Sequence, residues 1–404
     1  MTTTATPFKV PISEMAAGVQ PSATLAAGAK ARQLRSEGVH VFDFSLGEPD
    51  FPTPEHICQA ALKAMKDGHT HYTPAAGIVE LRTAVARWYQ KTYGVQYSAD
   101  HVVISSGAKH SIHNTLATTV GPGDEVIIPT PYWVSYSDLV QMTGASCVLV
   151  PTTPDTGFKM TPAQLRKALT PRSRLLMLNS PSNPTGTVYT RQELEALADV
   201  VLDAGISVLS DEIYERLLYG DARATCFATL RPGLAERTIT ISGASKTYAM
   251  TGWRIGWALG PKHVIKAMGD IQSQQTGNPC SVSQYAALAA LEGDQECIEK
   301  MRREFEGRRE LVCRRLRALP GIELLVPDGA FYAFFSVAAH FGRTLAGKKV
   351  TDSAGFCQVA LESAHVNLVP GSAFGAEGYV RLSFATSREQ INGGLDRLEQ
   401  LLIS

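Results

Sequence analysis

Apolar and polar positions along this chain follow two different spacings. Between about residues 54 and 300, short apolar runs are separated by stretches with helical spacing. The runs are HVVIS (101–105), DEVIIP (124–129), SRLLMLN (173–179), ISVLSD (206–211), RTITIS (237–242) and RIGWALG (254–260). Runs with so few polar positions have no solvent face, so they suit strands buried on both sides. Strands of that kind alternating with helices predict a mostly parallel sheet flanked by helices.

Outside that stretch the pattern changes. SATLAAGAKARQLRSEG (22–38) opens on Ser/Thr capping residues and closes on glycine, as a helix does. VFDFSLGEPDFPTPEHI (41–57) reads as a short strand and a Gly/Pro-rich loop. Around 300–318 a charged amphipathic pattern predicts a long helix linking two lobes. After it, strands (GAFYAFFSV, YVRLSFA) mix with helices (TDSAGFCQVALESA, REQINGGLDRLEQLL). The expected fold class is therefore α/β: a large domain with a mostly parallel sheet, plus a smaller α+β domain. Residues 1–50 are expected to join the small domain, 51–300 to form the large domain, and 301–404 to supply the connecting helix and the rest of the small domain.

Composition narrows the function. The chain has 404 residues, 44% hydrophobic and 19% charged, which suits a globular enzyme and not a disordered chain. Lys+Arg and Asp+Glu both total 38, which removes the electrostatic argument for nucleic acid or an anionic membrane. Seven scattered cysteines without C-x-x-C fit free thiols in a reducing compartment. The start, MTTTATPFKV, has no apolar signal region, and no run approaches membrane-spanning length, so the expected location is the cytoplasm. The ten histidines show no metal-binding spacing, so no metal is expected. GRTLAGKK (342–349) fits G-x-x-x-x-G-K, but Lys349 stands where a P-loop needs Ser or Thr. No G-x-G-x-x-G follows a strand, which argues against a nicotinamide enzyme.

The candidate chemistry falls where the apolar runs stop. Asn183 follows LMLNSPS, Asp211 closes VLSD, and Lys246 follows TITISGAS. In open α/β sheets ligands bind at the carboxyl ends of the strands, so three polar groups there point to one site. A lysine at the end of a buried strand is expensive to desolvate, so either this stretch is a surface loop or Lys246 is there to react.

The motifs GEPDF, YTPAAGI, SSGAKH, PYWVSY, NSPSNPTG, SDEIYE, SKTYAMTGWRIG and VPGSAFG complete the picture. Their order and spacing resemble those of fold-type I aminotransferases (class I/II) that use pyridoxal 5'-phosphate, in the bacterial aspartate aminotransferase branch. The resemblance runs from PSATLAAGAKA to VRLSFATS. It implies that Lys246 forms a Schiff base with the cofactor aldehyde and later moves a proton at the substrate Cα. It implies Asp211 at the pyridine nitrogen, Asn183 and Tyr214 at the phenolic oxygen, and Trp133 stacked on the ring. The phosphate is expected at the helix start after SSGAK, near Gly107 and Ala108, with Ser245 and Arg254. Tyr72 is expected to reach the phosphate of a neighbouring subunit, which makes the protein a homodimer with shared sites. Arg381 is expected to hold the substrate α-carboxylate, with Gly47, Asn183 and Trp133. Lys109 is expected at the side-chain carboxylate of aspartate or glutamate; the alternative is added charge beside the phosphate. Thr24 and Gln20 are expected to tune the site.

The expected reaction is a ping-pong exchange in which L-aspartate and 2-oxoglutarate give oxaloacetate and L-glutamate. The alternatives are a prephenate, aromatic or broader-specificity aminotransferase and, more distantly, a C–S β-lyase. A cofactor-sensing regulator would need a DNA-binding domain before the first helix.

Overall fold

The computed structural model describes residues 10–21 and 23–403. A seven-stranded sheet forms its centre, in the spatial order 102–105, 256–259, 238–243, 207–211, 173–179, 125–130 and 146–151. All neighbours pair parallel except Gly256–Leu259, which runs antiparallel to both of its neighbours. Each predicted apolar run is one of these strands. The seventh, Ser146–Pro151, lies at an edge and is largely exposed, although its sequence, SCVLVP, is as apolar as the others.

Helices cover both faces of the sheet. Arg191–Ala204 starts on a capping box, Thr190 with Glu193, and closes on left-handed Gly205. Its buried Leu194, Leu197, Ala198 and Val201 recur at helical spacing and pack with Leu176, Leu178 and Val208 of the sheet. Ala108–Thr119 and Lys262–Gln275 cover the opposite face, through Ile112, Leu116, Ile265 and Met268 against Val103, Ile239 and Ala258.

The C-terminal part carries a four-stranded antiparallel sheet containing Tyr332–Ser336 and Tyr379–Ser383. The long helix is Glu296–Ala318, and Ser353–Ala364 and Arg388–Ile403 pack nearby. The early strand Phe42–Asp43 pairs with Val366–Asn367, which ties the start of the described chain to its end. Residues 344–349 form a small hairpin and not a strand-to-helix phosphate loop. All seven cysteines are free. Among the described residues no helix is long and apolar enough to cross a membrane.

Candidate active site

The carboxyl edge of the central sheet opens on a cavity of about 340 Å³. Asp211 ends one strand and Asn179 ends the neighbouring one, directly opposite it in register. Asn179 Nδ2 donates to the Asp211 carbonyl at 2.9 Å, and its Oδ1 accepts from the Asn183 backbone N–H at 2.8 Å. The sheet register thus sets the turn that carries Asn183. The Asp211 carboxylate accepts from Tyr136 Oη at 2.6 Å and from the Ile213 N–H at 3.2 Å. Burial nevertheless dominates and raises its pKa to about 6.

Lys246 lies in the short helix Ala244–Thr247, immediately after the strand Thr238–Gly243. Its Nζ donates to the Gly47 carbonyl at 2.6 Å. Burial, with Arg254 and Arg381 nearby, lowers the pKa of this amine to about 8. Such an amine is partly neutral near physiological pH and can act as a nucleophile or base.

The antiparallel strand has a chemical consequence. Because Gly256–Leu259 runs against its neighbours, its start lies at the edge where they end, which brings Arg254 to the same cavity. Gly107 precedes the helix Ala108–Thr119 with φ of 90°. That positive φ favours glycine, and a Cβ there would press on the Arg254 guanidinium. Neither the Ala108 nor the Lys109 backbone N–H has a partner within the described chain, and Ser245 and Arg254 line the same corner. An anion suits that corner.

Arg381 is only 1% exposed. Its guanidinium donates to Asn183 Oδ1 at 2.9 Å and to the Ser45 carbonyl at 2.7 Å, while Nε is buried without a partner. It stacks on Tyr332, 4.6 Å from the ring centre. Among the described residues no carboxylate pairs with it. A buried cation without a counter-ion is costly unless a ligand supplies the charge. Lys109 Nζ sits 4.9 Å from the Trp133 ring centre, and burial lowers its pKa.

The cavity lining carries four cationic side chains (Lys109, Lys246, Arg254 and Arg381) against one carboxylate, Asp211. Gly47, Ala108, Trp133, Asn183, Tyr214 and Ser245 also line it, with Gly107 just behind. The structure therefore brings together the residues expected to hold the cofactor and substrate except Tyr72, which is 96% exposed; Tyr72 and Gln20 both lie outside the lining. The Gln20 N–H lies 3.5 Å from Asp138 Oδ1, on the helix after Trp133. The Thr24 side chain lies outside the described residues. Sequence reading passed over Asn179, Tyr136 and Tyr332. Tyr136 stands three residues after Trp133 in the PYWVSY motif and its ring packs edge-on against that of Trp133, whereas Tyr332 is hidden in an apolar strand.

A fold of this kind with this cavity defines a protein class. The family model for aminotransferase class I and II matches residues 39–398, and the chain belongs to that family. It is 45% identical over 391 residues to the aspartate aminotransferase of Geobacillus stearothermophilus, covering 97% of this chain and 98% of that one. It is also 45% identical over 390 residues to an aspartate/prephenate aminotransferase of Cereibacter sphaeroides, covering 96% and 98%. The crystal structure of the Rhizobium meliloti aspartate aminotransferase superposes with a TM-score of 0.95 at 41% identity, covering 98% of this chain and 99% of that one. A Thermus thermophilus aspartate aminotransferase with maleate gives 0.92 at 40% identity, covering 98% and 100%.

Proposed function

We propose that the protein is a pyridoxal 5'-phosphate-dependent aspartate aminotransferase, exchanging an amino group between L-aspartate and 2-oxoglutarate. The observation that carries this reading is the charge of the cavity: four cations face one carboxylate in a chain with no net charge. That excess suits three anionic groups at once, a phosphate and the two carboxylates of a dicarboxylic substrate. The donor set fits the cofactor. Its phosphate is assigned to the free N–H groups of Ala108 and Lys109 with Ser245 and Arg254, and its ring nitrogen to Asp211. Trp133 is assigned to its ring face, and Asn183 and Tyr214 to its phenolic oxygen. When bound, the cofactor supplies the electron sink for breaking the Cα–H bond.

The chain's own residues do the rest. Arg381, whose Nε has no partner, binds and orients the substrate α-carboxylate. Lys109 meets the side-chain carboxylate. Lys246 carries the cofactor between turnovers and, once released, takes the proton from the substrate Cα. Its lowered pKa, about 8, suits that task. Asp211, locked by Tyr136 and the Ile213 N–H, holds a proton on the ring nitrogen.

We assign residues 1–50 and 301–404 to a small domain and 51–300 to the large one; the pairing of Phe42–Asp43 with Val366–Asn367 supports this division. The exposure of Tyr72 supports a homodimer in which it reaches its neighbour's phosphate. We place the enzyme in the cytoplasm.

A second reading, with prephenate as an amino acceptor, is favoured by the Cereibacter sphaeroides relative. The test is to mix cofactor-loaded protein with single amino acids and measure the 2-oxo acid released. Rapid release from aspartate and glutamate, with slow release from alanine and phenylalanine, supports the assignment. Adding prephenate as acceptor checks the second reading, and pyruvate released from cysteine-type substrates would instead mark a lyase.

A further inference from the structure

Tyr332 lines the same cavity, is fully buried, and has no role in the mechanism above. It belongs to the antiparallel sheet, two positions from Phe334, which pairs with Arg381. Its hydroxyl lies 2.8 Å from that of Tyr214, which follows a strand of the central sheet. A Cβ on Gly47 would sit 2.9 Å from the same hydroxyl, so the phenol is confined from that side as well. One side chain therefore touches the residues assigned to the phenolic oxygen, the α-carboxylate and the lysine's resting acceptor.

Neither hydroxyl has another hydrogen-bond partner among the described residues. Two protons share one mutual bond, so one proton is left over. Which hydroxyl keeps it depends on which is the better donor. The Arg381 cation lies on the face of Tyr332 and favours loss of its proton. Burial pushes both phenols up, Tyr214 well above the ordinary tyrosine value, and Arg381 opposes the rise at both; it is the Tyr332 ring that the cation lies against. The charged groups facing this pair are Arg381 and Asp211.

We propose that Tyr332 is a positioning residue: it donates to Tyr214, so that the Tyr214 proton points into the cavity, and it couples that hydroxyl to the occupancy of Arg381. A carboxylate arriving at Arg381 neutralises the cation on the Tyr332 ring and weakens Tyr332 as a donor. The inference rests on the assignment of Tyr214 to the cofactor's phenolic oxygen.

Donation to that oxygen favours its deprotonated form and holds its titration midpoint down. Losing the donor behind Tyr214 weakens a cooperative chain by a modest fraction. In cofactor-loaded protein without amino acid, Tyr332→Phe should raise the pH midpoint of the cofactor absorbance change by about 0.3 unit. It should lower kcat about two- to threefold and leave KM for aspartate nearly unchanged, because the ring under Arg381 remains. Tyr214→Phe should shift the midpoint further in the same direction, and Tyr332→Phe in that background should add nothing. An unmoved midpoint in Tyr332→Phe, or an equal shift with and without Tyr214, overturns the proposal. Amino transfer by the unaltered protein is measured alongside. If it is absent, the transaminase assignment fails; if it is present while the midpoint stays put, only the role of Tyr332 falls. Absence of a cofactor absorbance band overturns both.

Discussion

Titrating Lys246 in the cofactor-free protein tests the site at its reacting atom. Its pKa is lowered from 10.5 to about 8, chiefly by burial. At pH 7 the neutral fraction of such an amine is about 9%, against about 0.03% for a solvated lysine, roughly a 300-fold difference. Since only the neutral amine reacts with an acylating reagent, trace labelling over pH 6–11 followed by peptide mapping reads each lysine separately. Labelling of Lys246, corrected for accessibility by its own high-pH plateau, should be half-maximal near pH 8. Free lysine added to the same reaction serves as the internal reference. Replacing Arg381 by Met removes a cation that pushes the Lys246 pKa down, so the midpoint should move up. A Lys246 midpoint indistinguishable from that of the free-lysine reference would refute activation of this amine by the cavity. A downward shift in the Arg381 variant would refute the electrostatic part of it.

Three further outcomes follow from the geometry. Tyr136→Phe removes the bond that holds the Asp211 carboxyl down against burial, so its pKa rises above about 6; the acid limb of the pH–rate profile should move to higher pH, and an unmoved limb counts against the pairing. Lys109→Ser should cost aspartate and glutamate about tenfold or more in kcat/KM, the loss of one charge-assisted contact, and leave alanine nearly unaffected; equal losses would return Lys109 to the phosphate. Mixed dimers of Lys246→Ala and Tyr72→Ala should rebuild one complete site and exceed the average activity of the two variants; no gain in dimers verified by mass would place Tyr72 at its own chain's site or at none.

The strands were legible because they are buried on both faces, so their sequences carry little but apolar residues. The edge strand Ser146–Pro151 carries the same apolar signal in CVLVP and was passed over; its exposure at the sheet edge is a tertiary fact. Asp211, Asn183 and Lys246 could be read as one site because strand ends in a parallel sheet converge by construction. The reversed direction of Gly256–Leu259 could not be read, as an apolar run looks the same in either direction. Arg381 and Arg254 were recognised through their motifs alone; the burial and missing counter-ion that give Arg381 its meaning are tertiary facts. Tyr136 and Tyr332 act through other side chains, and a tyrosine in an apolar segment looks like core until its hydroxyl is seen to have a partner.

The crowding of like charge in one cavity also bears on how the chain survives without its ligands. Four cations held together repel one another, and that repulsion is strain the fold must absorb while the cavity lacks anions. Anions that bind only the folded state relieve it and, by mass action, add about 4 kcal/mol of stability at a thousandfold excess over Kd. Cofactor-free protein should then unfold at a lower temperature than loaded protein, with the gap widening as cofactor is added. The charge that makes the cavity receptive also makes the stability of the fold depend on what fills it.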